Sequence, residues 1–173
     1  MDAFETERLV VREVAEDTLA ALLPVYAGNA AYLALTSGFA GEPGSYDLES
    51  LQRDFALARI TPGRHIAGIY EAEAAPPVGV LDWLEESPTD GRAWIGLVMI
   101  RPDRQRRRLG SEALDGLLER LGGAVRMGVI RRNEACAAFA RSLGFEPVST
   151  VGKRMNAPEE IVVYERLSAA AAK

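Results

Sequence analysis

The chain has few of the residues from which metal centres and disulfides are built. Its 173 residues include one cysteine, Cys136, and one histidine, His65. A single cysteine cannot form a disulfide within the chain, and a metal site needs several clustered His, Cys or carboxylate ligands. We therefore expect no metal site. Cys136 is predicted to pack on the apolar face of a helix, and His65 to have a structural or surface role.

Long apolar runs and an excess of positive charge are also missing. No apolar run reaches the roughly 20 residues that a membrane-spanning helix requires. Charged residues at Asp2, Glu5, Glu7 and Arg8 argue against a signal peptide. The formal net charge is −5, whereas nucleic-acid-binding domains are usually basic. The sequence therefore predicts a cytoplasmic protein with no membrane partner and no nucleic-acid partner.

The length suits one domain with one hydrophobic core. Apolar residues make up 48% of the 173 residues, as in an ordinary globular protein. No internal repeat and no low-complexity linker divides the chain. We expect residues 1–173 to form a single domain, with a disordered tail at 169–173.

The most distinctive stretch is a basic segment between a strand-like run and a helix-like run. Residues 93–100 are apolar and rich in Ile and Val, as is typical of a strand, and Pro102 ends this run. Alanine and leucine then recur at intervals of three and four residues, as on the buried face of an amphipathic helix, until Gly122 and Gly123. The segment 101–111 is therefore predicted to be a turn from a strand into a helix.

A turn of this kind can bind an anion. The first N–H groups of a helix have no acceptor within the helix, and the helix dipole is positive at that end. Gly110 allows a ligand to approach the backbone closely. Arginine side chains can add paired hydrogen bonds to phosphate oxygens; this segment holds Arg101, Arg104, Arg106, Arg107 and Arg108. An ordinary solvated turn fits the same residues equally well, so the turn alone leaves both interpretations open.

Three segments resemble one enzyme family. Gln105 to Gly110 looks like the acyl-CoA pyrophosphate loop of GCN5-related N-acetyltransferases (GNAT), whose usual form is Gln/Arg-x-x-Gly-x-Gly/Ala, although Arg108 replaces the first glycine. Asn133 to Phe145 is similar to the Asn-x-x-Ala/Ser helix of the family, which ends in Gly-Phe. Phe4 to Arg12 resembles the first strand of the RimJ/RimL-like branch, which acts on ribosomal proteins and small molecules. The three matches occur in the family's order and span nearly the whole chain.

The resemblance implies the GNAT fold, an α/β (α+β) architecture. We expect a mixed, mostly antiparallel twisted sheet of six to seven strands flanked by about four helices. The sheet would splay between the strands at 93–100 and 125–130, and acyl-CoA would enter there.

Local patterns predict further elements. Leu9 to Val14 is expected to be a strand, and the helical pattern from Glu16 must divide at Pro24. Asp47 can cap a later helix, and two strands at 65–71 and 78–84 are expected to pair.

The loop from Thr36 to Ser45 carries Phe39 and Glu42. Long loops of this kind are either surface connections or ligand lids. In the family resemblance this loop borders the acceptor pocket, which favours a lid.

The resemblance also implies acetyl-CoA as the cofactor and assigns residues to it. The pantetheine amide would add onto the strand before the loop as an extra strand does, and the pyrophosphate would lie on the loop N–H groups. Asn133 and Phe139 match contacts farther along the cofactor, although Asn133 could simply cap its helix and Phe139 could be a core residue. The cofactor-binding candidates are Val98, Met99, Ile100, Gln105, Arg106, Arg107, Arg108, Leu109, Gly110, Ser111, Asn133 and Phe139.

The sequence does not single out the catalytic acid and base. Acetyl transfer to an amine needs a proton acceptor, donors for the developing oxyanion and a proton for the leaving thiolate. Many relatives carry an acidic residue where this chain has Trp94, so Asp82 and Glu85, with the neighbouring Glu86, are the candidate general bases. Taken individually, each of them fits a solvated strand-end charge better than a catalytic base. The family's helix tyrosine is replaced by Ala140, but a thiol with a pKa of about 8.5 can leave without it.

The sequence therefore predicts an acetyl-CoA-dependent N-acetyltransferase in which a primary amine of a small molecule or a protein N-terminus attacks the thioester directly. The alternative is a catalytically weak module that binds or senses acyl-CoA, which the missing strand acid and helix tyrosine would favour. A nucleic-acid-binding domain that uses Arg104 to Arg108 is the least favoured hypothesis. The oligomeric state is left open, with a homodimer as one option.

Overall fold

The computed structural model describes residues 3–36, 46–151 and 159–167. Within them, eight strands form one sheet. The strands are β1 (Phe4–Glu5), β2 (Val10–Glu13), β3 (Arg64–Tyr70), β4 (Gly79–Leu84), β5 (Ala93–Ile100), β6 (Ala124–Ile130), β7 (Glu146–Val151) and β8 (Ile161–Leu167). Their order across the sheet is β1-β2-β3-β4-β5-β6-β8-β7. Neighbouring strands are antiparallel except β5 and β6, which are parallel.

Five α-helices accompany the strands in the described residues. They are α1 (Leu23–Gly28), α2 (Ala30–Thr36), α3 (Leu48–Ile60), α4 (Leu109–Leu121) and α5 (Glu134–Ser142). Two 3₁₀ helices, Glu16–Leu22 and Pro102–Arg104, precede α1 and α4. Pro24 lies in the first turn of α1, where its missing N–H costs no helical hydrogen bond. It divides the first helical segment, as its position in the sequence predicts.

The mixed, mostly antiparallel sheet agrees with the predicted architecture, with two differences in count. The sheet has eight strands instead of six or seven, because it includes β1, whose two residues are too few to show an alternating pattern. There are five α-helices instead of about four.

The sheet has a hydrophobic core on each face. Side chains alternate along a strand, so Ile66 and Ala67 belong to different cores. On one face, strand residues such as Ala67 and Leu81 pack against Leu114 of α4 and against Phe145 after α5. On the other face, residues such as Ile66, Val80 and Met99 pack against α1, α2 and α3.

Helix ends follow the predicted signals. The Asp47 side chain accepts a hydrogen bond from the Ser50 N–H (2.9 Å) and caps α3. Gly122 follows α4 with φ 61°, and Gly144 follows α5 with φ 79°. Both need the left-handed conformation that glycine adopts without strain.

The sheet splays between β5 and β6, as predicted. These strands pair at only three positions, the last being Ile95 with Met127. Beyond that point β5 continues with β4, and β6 continues with β8. The β4–β5 register shifts between Asp82 and Trp83, which leaves Gly96 as an extra residue in β5. A β-bulge bends its strand, so the shift helps to turn β5 away from β6.

The predicted lid, with Phe39 and Glu42, and the tail at 169–173 lie outside the described residues. None of the helices in the described ranges combines the length and apolar character that crossing a bilayer requires. Within the same ranges, no group of three or more His, Cys, Asp or Glu side chains is placed to hold a metal ion.

Candidate active site

A groove of about 740 Å³ opens where β5 and β6 part. It brings together eleven of the twelve predicted cofactor residues, the exception being Arg107. Leu109 and Met99 border the groove but are only 3% and 4% exposed, because their side chains pack in the two cores. The lining residues are Asn29, Tyr32, Val98, Met99, Ile100, Arg104, Gln105, Arg106, Arg108, Leu109, Gly110, Ser111, Asn133, Ala135, Cys136 and Phe139.

The backbone of β5 faces the groove beyond Ile95. In an antiparallel ladder, successive residues direct their N–H and C=O groups to opposite sides. The Arg101 N–H donates to the Val78 carbonyl on the β4 side (2.8 Å). By alternation, the N–H and C=O groups of Val98 and Ile100 point into the splay, and of these the Ile100 carbonyl already accepts from Asn29 and Gln105. This arrangement suits the addition of a pantetheine amide as an extra strand.

A hydrogen-bonded brace joins α1, β5 and the loop that follows β5. Asn29 donates through Nδ2 to the carbonyls of Val25 (2.7 Å) and Ile100 (3.1 Å). Gln105 donates through Nε2 to Asn29 Oδ1 (3.1 Å) and to the Ile100 carbonyl (2.8 Å). The Gln105 side chain therefore holds the loop in place, which leaves its backbone as the part that can face a ligand.

The loop from Gln105 to Arg108 has an unusual backbone. Arg106 and Arg108 have φ angles of 62° and 63°, and the left-handed conformation costs a non-glycine residue about 1–2 kcal/mol. Arg108 occupies the position of the first glycine in the family motif, and its φ lies in the region that glycine adopts without strain. It is also the N-cap of α4 and makes no side-chain capping bond. The N–H groups of the first turn of α4 therefore have no side-chain cap, and their residues Leu109, Gly110 and Ser111 line the groove, where an anion can accept hydrogen bonds from them.

The five arginines of the segment 101–108 are not equivalent. Arg101 pairs with Asp103 (2.6 Å), and Arg104 with Glu71 (3.5 Å), so neighbouring carboxylates offset their charge. Arg106 and Arg108 are exposed and line the groove. These two are the best placed to meet phosphate.

Gly110 forms part of the groove wall, close to β5 and α5. A Cβ at this position would lie 3.4 Å from Ile100 Cγ1 and 3.9 Å from both Val98 Cγ2 and Phe139 Cζ. A larger side chain would therefore fill the space between β5 and α5. The open groove, the left-handed loop and the exposed helix start together fit a narrow, anionic cofactor such as acetyl-CoA.

Asn133 acts as a helix cap and also lines the groove. Its Oδ1 accepts the Cys136 N–H (3.1 Å) at the start of α5. Phe139 is similarly shared, because it packs on the core and lines the groove. The two interpretations of each residue that the sequence leaves open are therefore compatible.

Substitution at Asn133 can separate its two roles. Asn133→Ala should lower the free energy of unfolding by about 1 kcal/mol, because the cap is lost. Asn133→Ser keeps a capping oxygen, so we expect near-normal stability with weaker CoA binding, because the longer amide no longer reaches the groove. Chemical denaturation and calorimetry with CoA measure the two effects. Normal CoA affinity in the serine variant would restrict Asn133 to capping.

Two groove residues keep their protons at neutral pH. Burial, with a smaller contribution from Cys136, raises the pKa of Tyr32 to about 12. Burial also raises the pKa of the Cys136 thiol. Tyr32 therefore keeps its hydroxyl proton and gives it up less readily than a thiol of pKa about 8.5. Cys136 is a packing residue and not a thiolate nucleophile.

The structure separates the two predicted general bases. Asp82 lies on β4, and its Oδ1 is 3.3 Å from the position of a Cβ on Gly96, the first residue beyond the last β5–β6 pair. Arg64 donates to both of its carboxylate oxygens (3.1 and 2.6 Å). Glu85 follows β4 at the end where β5 begins and contacts His65 Nε2 (3.1 Å). Asp82 is therefore the candidate that lies beside the splay.

A cluster of tyrosines and carboxylates lies on the same face as Asp82. The rings of Tyr26 and Tyr46 stack with centroids 4.6 Å apart, and the Tyr46 hydroxyl donates to Asp54. Burial raises the pKa of both tyrosines, and the charges of Asp82 and Asp54 add to this effect. Flat rings beside carboxylates can hold a cationic amine.

The family's usual acid and tyrosine positions have other uses here. Trp94 donates through Nε1 to both carboxylate oxygens of Asp90 (3.2 Å). Ala140 is fully buried in the core. Neither residue can exchange a proton with a substrate.

The segments that form this site match a known family. The family model described as acetyltransferase (GNAT) matches residues 31–145. The chain belongs to the GNAT family. This match includes the splay, the loop, α4 and α5, so the predicted resemblance is confirmed. The GNAT chain is accordingly an N-acetyltransferase that uses acetyl-CoA.

Solved structures share the GNAT fold over nearly the whole chain. An acetyltransferase from Thermus thermophilus has a TM-score of 0.76 and 25% identity, over 94% of this chain and 99% of that one. The ribosomal-protein-S5-alanine acetyltransferase from Vibrio fischeri has a TM-score of 0.66 and 15% identity, over 100% of both chains. The spermidine N-acetyltransferase from Vibrio cholerae, solved with CoA and spermine, has a TM-score of 0.71 and 12% identity, over 94% and 96%. A comparison with curated proteins gives no match.

Some residues of this GNAT site have no signal in the sequence. Asn29 follows α1 and Tyr32 lies in α2, far along the chain from the loop motif. In the sequence, Arg64 is indistinguishable from an ordinary charge at the end of a strand, yet its side chain holds the Asp82 carboxylate.

Proposed function

We propose that the protein transfers the acetyl group of acetyl-CoA to the primary amine of a small molecule or a protein N-terminus, with Asp82 as the proton acceptor. The position of Asp82 carries the proposal, because its carboxylate lies against Gly96 where β5 leaves β6. When bound, acetyl-CoA supplies a thioester whose carbonyl carbon can accept an amine nitrogen.

The cofactor side of the proposal rests on the groove. Val98 and Ile100 would hold the pantetheine arm through backbone groups that point into the splay. The N–H groups of Leu109, Gly110 and Ser111, with the side chains of Arg106 and Arg108, would hold the pyrophosphate. Backbone N–H groups of β5 are also in place to stabilise negative charge that develops on a carbonyl oxygen.

The acceptor side rests on Asp82 and its neighbours. A carboxylate has about four acceptor sites, and Arg64 uses two of them in a bidentate pair that fixes the group. The others can take the proton that an attacking amine must lose, directly or through a water. The tyrosines and Asp54 on the same face favour an acceptor with positive charge.

An acetylation assay tests this function. The purified chain is incubated with acetyl-CoA and a panel of acceptors. The panel holds a polyamine, a small monoamine, and the same peptide in two forms, one with a free N-terminus and one with a blocked N-terminus. Release of the CoA thiol is followed, and the product is identified by mass spectrometry. We expect turnover with at least one free amine and none with the blocked peptide. Tight CoA binding without turnover on any amine would contradict the proposal and favour an acyl-CoA sensor.

A further inference from the structure

A set of side chains outside the groove ties the N-terminal strands to the phosphate loop. We call Thr6, Arg8 and Glu112 the clasp. The Glu112 carboxylate, on the first turn of α4, accepts hydrogen bonds from Thr6 Oγ1 (2.5 Å), the Arg8 N–H (2.8 Å) and Arg8 Nε (2.7 Å). Arg8 Nη2 forms an ion pair with the same carboxylate (2.6 Å). Four contacts therefore converge on one side chain.

The clasp also reaches the loop backbone. Arg8 Nη2 donates to the Arg107 carbonyl (3.2 Å), and Arg107 lies between the two left-handed residues Arg106 and Arg108. The Glu112 N–H donates to the Arg108 carbonyl (3.0 Å), which is the first hydrogen bond of α4. The peptide groups on both sides of Arg108 are thus attached, directly or through the backbone, to Glu112 and Arg8.

We infer that the clasp is a positioning device: it holds Arg108 in the left-handed conformation that the family motif normally obtains from glycine, and so keeps the loop N–H groups directed at the cofactor phosphates. Glycine adopts this conformation without strain, whereas arginine disfavours it. A chain with arginine at this position therefore needs contacts that stabilise the turn from outside. This inference rests on the proposed function, because it assumes that the loop binds the cofactor.

Neutralising Glu112 distinguishes the clasp from simple charge repulsion, because the two predict opposite changes in CoA affinity. A carboxylate beside an anion site repels the anion, so its neutralisation alone should strengthen CoA binding. Burial opposes the ionised form, but the hydrogen bonds from Thr6 and Arg8 outweigh it and hold the pKa of Glu112 below its usual value. The clasp predicts weaker CoA binding instead, because Glu112→Gln breaks the pair with Arg8 and releases the loop.

The test is a double-mutant cycle between Glu112→Gln and Arg108→Gly, with CoA affinity measured by calorimetry and folding by thermal unfolding. Glu112→Gln should weaken CoA binding about 10-fold when Arg108 is present, and only about 2-fold when Gly replaces it, which lies within the usual range of coupling between neighbours. Thr6→Val, which removes one hydroxyl, provides a milder variant and should give a smaller loss with the same rescue.

The outcomes are distinct. Unchanged or tighter CoA binding by Glu112→Gln would overturn the inference, because charge alone would then explain the site. An equal loss in both backgrounds would also overturn it, because a general defect of folding cannot be rescued by Arg108→Gly. Absence of CoA binding by the unaltered chain would instead overturn the proposed function, and this inference with it.

Discussion

Replacing Asp82 with asparagine is expected to lower kcat by about 100-fold or more, as removal of a general base usually does, while CoA binding stays nearly normal. Asparagine has almost the same shape and can still accept a hydrogen bond from Arg64, but it cannot take a proton from an amine. Because charge-assisted hydrogen bonds contribute about 1.5–3 kcal/mol, the variant should also be somewhat less stable. Steady-state kinetics with the best acceptor, CoA calorimetry and thermal unfolding measure the three effects.

Glu85→Gln is the matched control for this experiment. Glu85 is also a predicted base, but it is half-exposed and contacts His65, away from the point where β5 leaves β6. We expect its kcat to remain within about 2-fold of the original, since surface substitutions have small effects. Normal kcat in Asp82→Asn, with stability lowered, would reduce Asp82 to a structural partner of Arg64. A large loss in Glu85→Gln would transfer the proposed role to that residue.

A leucine in place of Gly110 is expected to weaken CoA binding by about 100-fold or more, which corresponds to nearly 3 kcal/mol. Its Cβ would already be in contact with Ile100, and the rest of the side chain would occupy the space between Val98 and Phe139. The fold should survive, because the residue lies in the first turn of α4 and its φ is not in the left-handed region. Calorimetry with CoA and circular dichroism test both parts.

Gly110→Ala is the graded control. Its methyl group would make an ordinary contact with Ile100 Cγ1 at 3.4 Å, so CoA binding should change by only about 2-fold, and alanine favours a helix over glycine by up to about 1 kcal/mol. The alanine variant should therefore be at least as stable as the original chain. CoA binding that survives in Gly110→Leu would show that the cofactor does not use this groove.

Local patterns in the sequence were enough to locate the main elements that line the groove. The period of apolar residues reveals the strand at 93–100 and the helix after it, and Pro102 and Gly122 mark their ends. These signals depend on neighbours within a few residues, so they can be interpreted without a tertiary structure. The family motif around Gly110 and the cap at Asn133 belong to the same class.

The folded chain decided which distant groups meet. Asn29 meets Gln105, and Arg8 meets Glu112, across separations of 76 and 104 residues. The choice of Asp82 over Glu85 depends on the β4–β5 register and its bulge, which place one carboxylate against Gly96. Spacing along a chain carries no information on such contacts, because they arise from how strands pair and helices pack. The sequence by itself determined that a turn from a strand into a helix precedes α4, because those signals are local; the packing of the β1–β2 connection on α4 brought Thr6 and Arg8 to Glu112, which no local signal encodes.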